Sequence, residues 1–208
     1  MMHDIHTPYL FCIGRLVQEK GFDIIIEAYA KIIAAGFDLS LVIAGEGSEK
    51  HIFVEKAKEL QLAISENTAC DLFPNKTVCF VGNVKGQIKT SLFMRSRMVL
   101  FPTQSNLVQE SFALVPFEAF AAKRPLVMSQ LDRAHELKEE GFIFDIIENP
   151  SDANEWRDMI IKKLNETESL DGLNNNFQKL QPYDWKIIVE QYKTTWQKSL
   201  LLNKNISL

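Results

Sequence analysis

Histidine is scarce: His3, His6, His51 and His135 are the four, and they are scattered. The three cysteines, Cys12, Cys70 and Cys79, have no metal-ligand spacing. Their odd number is not that of a disulfide framework. Cys12 and Cys79 fall inside apolar runs, where a free thiol acts as a small core residue. A reducing cytoplasm is therefore the expected compartment. No apolar run reaches the roughly 18 residues of a membrane span, and Met1-Met2-His3-Asp4-Ile5-His6 lacks the basic-then-apolar form of a leader peptide. There is no basic arm, and a net charge of −4 offers nothing to nucleic acid. Ser111 lacks a nucleophile elbow and a histidine partner, so covalent catalysis has no support.

What is present is an ordinary globular chain of 208 residues, 46% apolar and 24% charged. Tyr9–Gly14 is a short apolar run closed by glycine and reads as a buried parallel strand. Phe22, Ile25, Ile26, Tyr29, Ile32 and Ile33 then recur at helical spacing up to Gly36. Leu39–Ala44, Thr77–Val81, Met98–Phe101, Pro125–Ser129 and Phe142–Ile147 read as five further strands. Helices are expected after Ser48, a plausible cap, then through Ile88–Met94, from near Leu114, and over Asp132–Glu140 and Asp152–Leu164. Residues 62–76 are polar and irregular and read as a surface insertion, and 167–180 is polar too. Tyr183–Leu202 carries Trp185, Ile188, Val189, Tyr192 and Trp196 at helical spacing.

This alternation predicts an α/β fold: a single Rossmann-like, doubly wound parallel sheet with helices on both faces. Right-handed crossovers predict the strand order 3-2-1-4-5-6, counting the six strands along the chain. One domain is expected over residues 1–208, with its core over 8–182 and a C-terminal helix over 183–202. A ligand then belongs at the carboxyl ends of the strands, near the point where the order reverses.

Three groups of residues fall at those carboxyl ends. Arg15 and Lys20 follow the first strand, and a guanidinium fork beside an ammonium suits a pyrophosphate. Two solvated surface cations are the plainer reading. Gly45-Glu46-Gly47 and Gly82-Asn83 follow the next two strands and either admit a ligand to the backbone or are simple turns. Neither matches G-x-G-x-x-G. Glu110 and Glu118 flank a helix start in which Pro116 sits in the first turn. Free N–H groups at a helix start attract anions, and carboxylates beside them can hold hydroxyls of the same ligand. A surface acid pair is the alternative, but the apolar surroundings of Glu118 predict that it is not freely solvated.

Four ordered segments carry a resemblance. They are Gly14-Arg15-Leu16 with Glu19-Lys20-Gly21, Leu41 to Ser48, Phe80-Val81-Gly82-Asn83-Val84, and Glu110-Ser111-Phe112-Ala113-Leu114-Val115-Pro116-Phe117-Glu118-Ala119. Together they resemble the C-terminal half of retaining glycosyltransferases of the group 1, family 4 type, from about residue 8 to about residue 200. That family has the GT-B architecture of two facing Rossmann-like domains, the C-terminal one binding the nucleotide-sugar donor. The resemblance implies that Gly14, Arg15 and Lys20 meet the donor diphosphate, with the two cations stabilising the leaving group. Glu110 would contact the donor sugar and is the third implied catalytic residue. Ser111, Phe112, Ala113, Leu114 and Val115 would line the sugar and phosphate, mostly through backbone N–H groups. Glu118 would accept from the ribose hydroxyls, and Gly82, Asn83 and Val84 would lie by the base. No metal and no further cofactor is implied beyond the nucleotide-diphosphate sugar, and the sequence has no Asp-x-Asp.

Some positions depart from the family pattern. Ser111 and Ala113 stand where it has glycines, Lys123 replaces another glycine, and Gln130-Leu131-Asp132-Arg133 replaces a Gly-Gly segment. Ser96-Arg97 stands where Ala-Asp is usual. Two Rossmann-like domains need about twice this length, so an N-terminal acceptor-binding domain or a partner subunit is expected to complete the enzyme. The implied function is transfer of a sugar to a glycan or lipid-linked acceptor, in the cytoplasm or peripheral to the membrane, with weak transfer by this chain alone. The alternatives are a non-catalytic nucleotide-binding or subunit-interaction module, a homodimer through the C-terminal helix, or a nucleotide-sugar epimerase of the same architecture.

Overall fold

The computed structural model describes residues 8–66, 73–104, 113–166 and 169–184, and, beyond these, 186–187, 189–190 and 193–194. Among these residues seven strands, β1 (Tyr9–Ile13), β2 (Ser40–Ala44), β3 (Ala63–Ser65), β4 (Thr77–Phe80), β5 (Met98–Phe101), β6 (Leu126–Ser129) and β7 (Asp145–Ile147), make one sheet. Their order is β3-β4-β2-β1-β5-β6-β7, and every pairing is parallel. The six strands read from the sequence lie in the expected order. The additional strand, β3, falls inside the stretch read as an insertion and pairs with β4, Ile64 opposite Val78. None of its three residues is fully buried, so it carries no apolar pattern. Its strand character comes from the neighbour it pairs with.

Among the described residues up to Tyr183, seven helices return the chain: α1 (Phe22–Ala34), α2 (Lys50–Glu59), α3 (Gly86–Arg95), α4 (Leu114–Ala121), α5 (Asp132–Glu139), α6 (Ala153–Asn165) and α7 (Leu170–Lys179). Single 3₁₀ turns occupy Gln18–Lys20 and Gln181–Tyr183. Because side chains alternate along a strand, the sheet divides the core in two. Leu10, Cys12, Leu41, Ile43, Val78 and Phe80 meet α1, α2 and α6 on one face. Tyr9, Phe11, Val42, Ala44, Cys79 and Phe101 meet α3, α4 and α5 on the other. Burial on both faces is why these strands read as unbroken apolar runs.

Two local expectations are corrected. The second helix begins at Lys50, not behind Ser48, and no side chain caps it. Glu49, at its N-cap, instead accepts from the Gln18 backbone N–H. The last strand is shorter than Phe142–Ile147, because the Ile143 backbone pairs with a side chain. Asn176 of α7 donates to Ile143 O at 2.6 Å and accepts from Ile143 N at 2.7 Å. Within the polar stretch 167–180, Leu170–Lys179 is helical, and its one fully buried residue is that asparagine.

At the end of α4, Lys123 takes a left-handed conformation, φ 53. The Lys123 N–H bonds Phe120 O and the Arg124 N–H bonds Ala119 O, both at 3.0 Å. This is a helix stop that usually carries glycine. The lysine is held from outside: its Nζ donates to Asn174 at 2.8 Å and stands 4.7 Å from the centre of the Phe177 ring. Beyond Tyr183 the described residues 186–187, 189–190 and 193–194 are helical, while Trp185, Ile188, Tyr192 and Trp196 of the expected crossing helix lie outside the described residues. Among the described residues no helix is long and apolar enough to cross a membrane.

Candidate nucleotide site

The parallel sheet brings the loops after β1, β2, β4 and β5 to one rim. The first two are zipped together. Gly14 N–H bonds Ala44 O at 3.0 Å, Leu16 N–H bonds Glu46 O at 2.9 Å, and Glu49 N–H bonds Leu16 O at 3.1 Å. Gly45 has φ +139 and gives its N–H to Gly82 O at 2.7 Å. A Cβ on Gly47 would stand 2.3 Å from Leu16 O. The neighbours that crowd Gly45 and Gly47 are thus the backbone of the adjacent loop.

The loop after β1 is also fixed on its other side. Gly21, φ +64, lies so close to Pro102 O that a Cβ would stand 2.3 Å from it. Gln104 is buried and joins three loops. Its backbone N–H bonds Glu19 O at 2.8 Å, its amide nitrogen bonds Pro102 O at 2.9 Å and Pro150 O at 3.1 Å, and its amide oxygen accepts from Ser151 at 2.9 Å.

Between these loops and α3 lies a cavity of about 540 Å³. Of the residues singled out in the sequence, Gly14, Arg15, Gly45, Glu46, Asn83 and Val84 line it. Arg15 reaches outward, its side chain 72% exposed and bonded to Glu19 at 2.7 Å. The Lys20 stem crosses Gly14: a Cβ there would stand 3.8 Å from Lys20 Cγ. Gly82 sits at φ +69, its carbonyl taken by Gly45.

The sequence reading missed Lys85 and Lys89, which share this lining. The signal was available in the two lysines, which stand four residues apart around the first turn of α3. Arg15, Lys85 and Lys89 against the single acid Glu46 make the cavity wall net positive. Lys85 is the N-cap of α3 in extended conformation, and no side chain caps that helix. Its first N–H groups therefore lack an intrahelical acceptor.

The helix expected near Leu114 begins there, with Ala113 as its extended N-cap and again no side-chain cap. Leu114 is exposed and Val115 half-buried. Glu118 sits one turn in and is not freely solvated. Lys89 Nζ lies 2.5 Å from its Oε1, both side chains being about a third exposed at 29% and 32%. Glu118 Oε2 is buried and has no hydrogen-bond partner. Glu118 also lines a larger groove of about 860 Å³, walled by Leu114, Phe117, Ala121, Phe177, Leu180 and Ile187. Glu110, Ser111 and Phe112 lie outside the described residues. In the Gln130–Arg133 segment, Arg133 bonds Glu136 at 2.7 Å and Glu140 at 3.3 Å and lies 5.4 Å from the Phe117 ring centre.

A doubly wound parallel sheet with this rim is the fold of the C-terminal half of a GT-B transferase. The match to the C-terminal domain of a group 1 glycosyl transferase from Francisella tularensis has a TM-score of 0.63 at 18% identity and covers 85% of this chain and 86% of that one. TarM of Staphylococcus aureus, solved with UDP, matches with a TM-score of 0.71 at 20% identity, over 93% of this chain and 36% of its own. The family model described as "Glycosyl transferases group 1" matches residues 7–166, and the chain belongs to that family. Among curated relatives, the alpha-D-kanosaminyltransferase of Streptomyces kanamyceticus is 25% identical over 81% of this chain and 39% of its own length. A capsular polysaccharide biosynthesis glycosyltransferase of Staphylococcus aureus is 23% identical over 80% and 39%. The chain thus spans about two fifths of these two relatives.

Proposed function

We propose that this chain is the donor-binding half of a retaining glycosyltransferase, and that the cavity beside Gly14 and Arg15 takes a nucleotide-diphosphate sugar. The observation that carries this is the convergence of Gly14, Arg15, Asn83, Val84, Lys85 and Lys89 on one cavity at the carboxyl edge of the sheet. Cations and an uncapped helix start suit a diphosphate. In this reading Arg15 and Lys20 hold the diphosphate and stabilise the charge that develops as it leaves. Glu110 contacts the donor sugar, with the backbone of Ser111 to Val115 along sugar and phosphate. Glu118 accepts from the ribose, and Gly82, Asn83 and Val84 border the base. The transferred group is a hexose, passed with retention to a glycan or lipid-linked acceptor, and cationic stabilisation stands in for a metal.

The acceptor side of the cleft comes from outside these residues, from an N-terminal domain or a partner subunit. The share of the relatives' length that the chain spans supports this division. The C-terminal helix crosses towards that missing half, and the enzyme works in the cytoplasm or peripheral to the membrane. The isolated chain is expected to bind donor and turn over well below about 1 per second, a common rate for enzymes.

Calorimetric titration with UDP and GDP tests the reading. Binding by the wild type that is abolished in Arg15→Ala or Lys20→Ala supports it, and no binding of either nucleotide by the wild type overturns it. A second reading, a nucleotide-binding module without transfer, is favoured by Ala113. Its side chain is buried at the start of α4, where a glycine would leave room for the sugar. Equal affinity for a nucleoside diphosphate and its sugar conjugates would select that reading.

A further inference from the structure

The Lys89–Glu118 pair joins two helices whose first turns both stand on the rim. Lys89 is the fourth residue of α3 and Glu118 the fifth of α4. Lys89 lines the cationic cavity, while Glu118 lines the larger apolar groove, so the pair stands at the wall between them. Lys89 engages one carboxylate oxygen, Oε1, at 2.5 Å. The other, Oε2, is buried without a hydrogen-bond partner. An ionised oxygen left in that state raises the free energy of the protein, and a hydroxyl arriving there recovers part of it.

We propose that Lys89 is a positioning residue of the donor site, which holds the Glu118 carboxylate with Oε2 towards the ribose diol and so sets a preference for ribonucleotides over their deoxy forms. The proposal deepens the donor-site reading and rests on it. Lys89 contributes in two ways. It neutralises a carboxylate set among apolar side chains, and it fixes the rotation of that carboxylate by occupying one oxygen. Without the ammonium, Glu118 is free to rotate towards water and its contact with the diol is lost. A site built to bond a hydroxyl discriminates against a ligand that lacks one, because its own polar group is left unpaired.

The test measures binding of UDP and GDP, each beside its 2′-deoxy and 3′-deoxy forms, to the full chain by calorimetry. For the nucleotide that binds, wild-type protein should prefer the ribo form over at least one deoxy form by about tenfold or more, the worth of one hydrogen bond to a charged group. Lys89→Met should bring that ratio close to one, weakening the ribo form by more than the disfavoured deoxy form. Lys89→Arg should restore the ratio. Lys89→Leu repeats the test with a second apolar shape, and melting curves confirm that each variant is folded. Adding Lys89→Met to Glu118→Gln should change the ratio no further, since both act through one contact. A purely structural lysine would weaken all forms alike, and an unmoved ratio in Lys89→Met or Lys89→Leu overturns the proposal. Absence of binding by the wild type overturns the donor-site reading instead, so the two failures are told apart.

Discussion

The carbonyl oxygen of Gly14 occupies the place where a side chain on Gly45 would begin: a Cβ there would stand 1.8 Å from it. The φ of +139 adds strain for any other residue. Gly45→Ala is expected to cost about 3 kcal/mol or more, the range of severe backbone conflicts, and to weaken nucleotide binding by separating the first two loops. Gly36 is the control. Its φ is +92 but nothing lies within 4 Å, so Gly36→Ala should cost only about 1 kcal/mol of backbone strain. Urea midpoints for the two variants check the contrast.

Lys123 gives a prediction of opposite sign. Its left-handed φ of 53 carries about 1 kcal/mol of strain that glycine escapes. Its exposed contacts with Asn174 and Phe177 offset part of this. Lys123→Ala keeps the strain and loses the contacts, whereas Lys123→Gly loses both. Lys123→Gly should therefore be the more stable of the two by about 1 kcal/mol in denaturant titration.

Asn176 is buried and bonds both the N–H and the C=O of Ile143. Asn176→Ala leaves two backbone groups without their partner and should cost about 2 kcal/mol. Hydrogen exchange should localise the loss to the Ile143 amide and the inner face of α7.

Tyr9 sets an alkaline limit. Burial pushes its phenol from 10.0 up to about 12, against the opposing pull of Arg95 and Arg124, and its hydroxyl donates to Leu92 O at 2.8 Å. A folded-state value above the unfolded one means the contribution is whole below pH 10 and is lost as pH rises towards 12. The loss is about 2–3 kcal/mol across that window. Tyr9→Phe should lessen the fall in stability over this range without abolishing it, because burial also raises the Tyr29 phenol and the Cys12 thiol. Chemical denaturation at several alkaline pH values measures it.

The legible part of this chain is the part whose pattern is local. Strands buried on both faces announce themselves as apolar runs, and right-handed crossovers then leave little choice of order. Pro116 placed the start of α4 correctly because its ring constrains only its own turn. β3 was illegible because its pairing with β4 supplies what its residues lack. α7 was obscured because its innermost side chain is an amide. Around the cavity, Gly14, Arg15, Asn83 and Val84 were legible because each lies within four residues of the carboxyl end of a strand. Lys89 and Gln104 were not, since their partners Glu118 and Pro150 come from distant parts of the chain. Ser48 misled because a hydroxyl before a helix is only an opportunity, and here the chain turned one residue later.

Ile143 leads into β7, the outermost strand on its side of the sheet. The exposed border of a sheet is a template on which another chain can add a strand. By taking both the donor and the acceptor of Ile143, Asn176 plays the part of one residue of an eighth strand and ends the ladder there. The opposite border is closed by brevity, since β3 has only three residues. A helix side chain thus serves as a guard against self-association, and loss of Asn176 should show first as aggregation at high protein concentration.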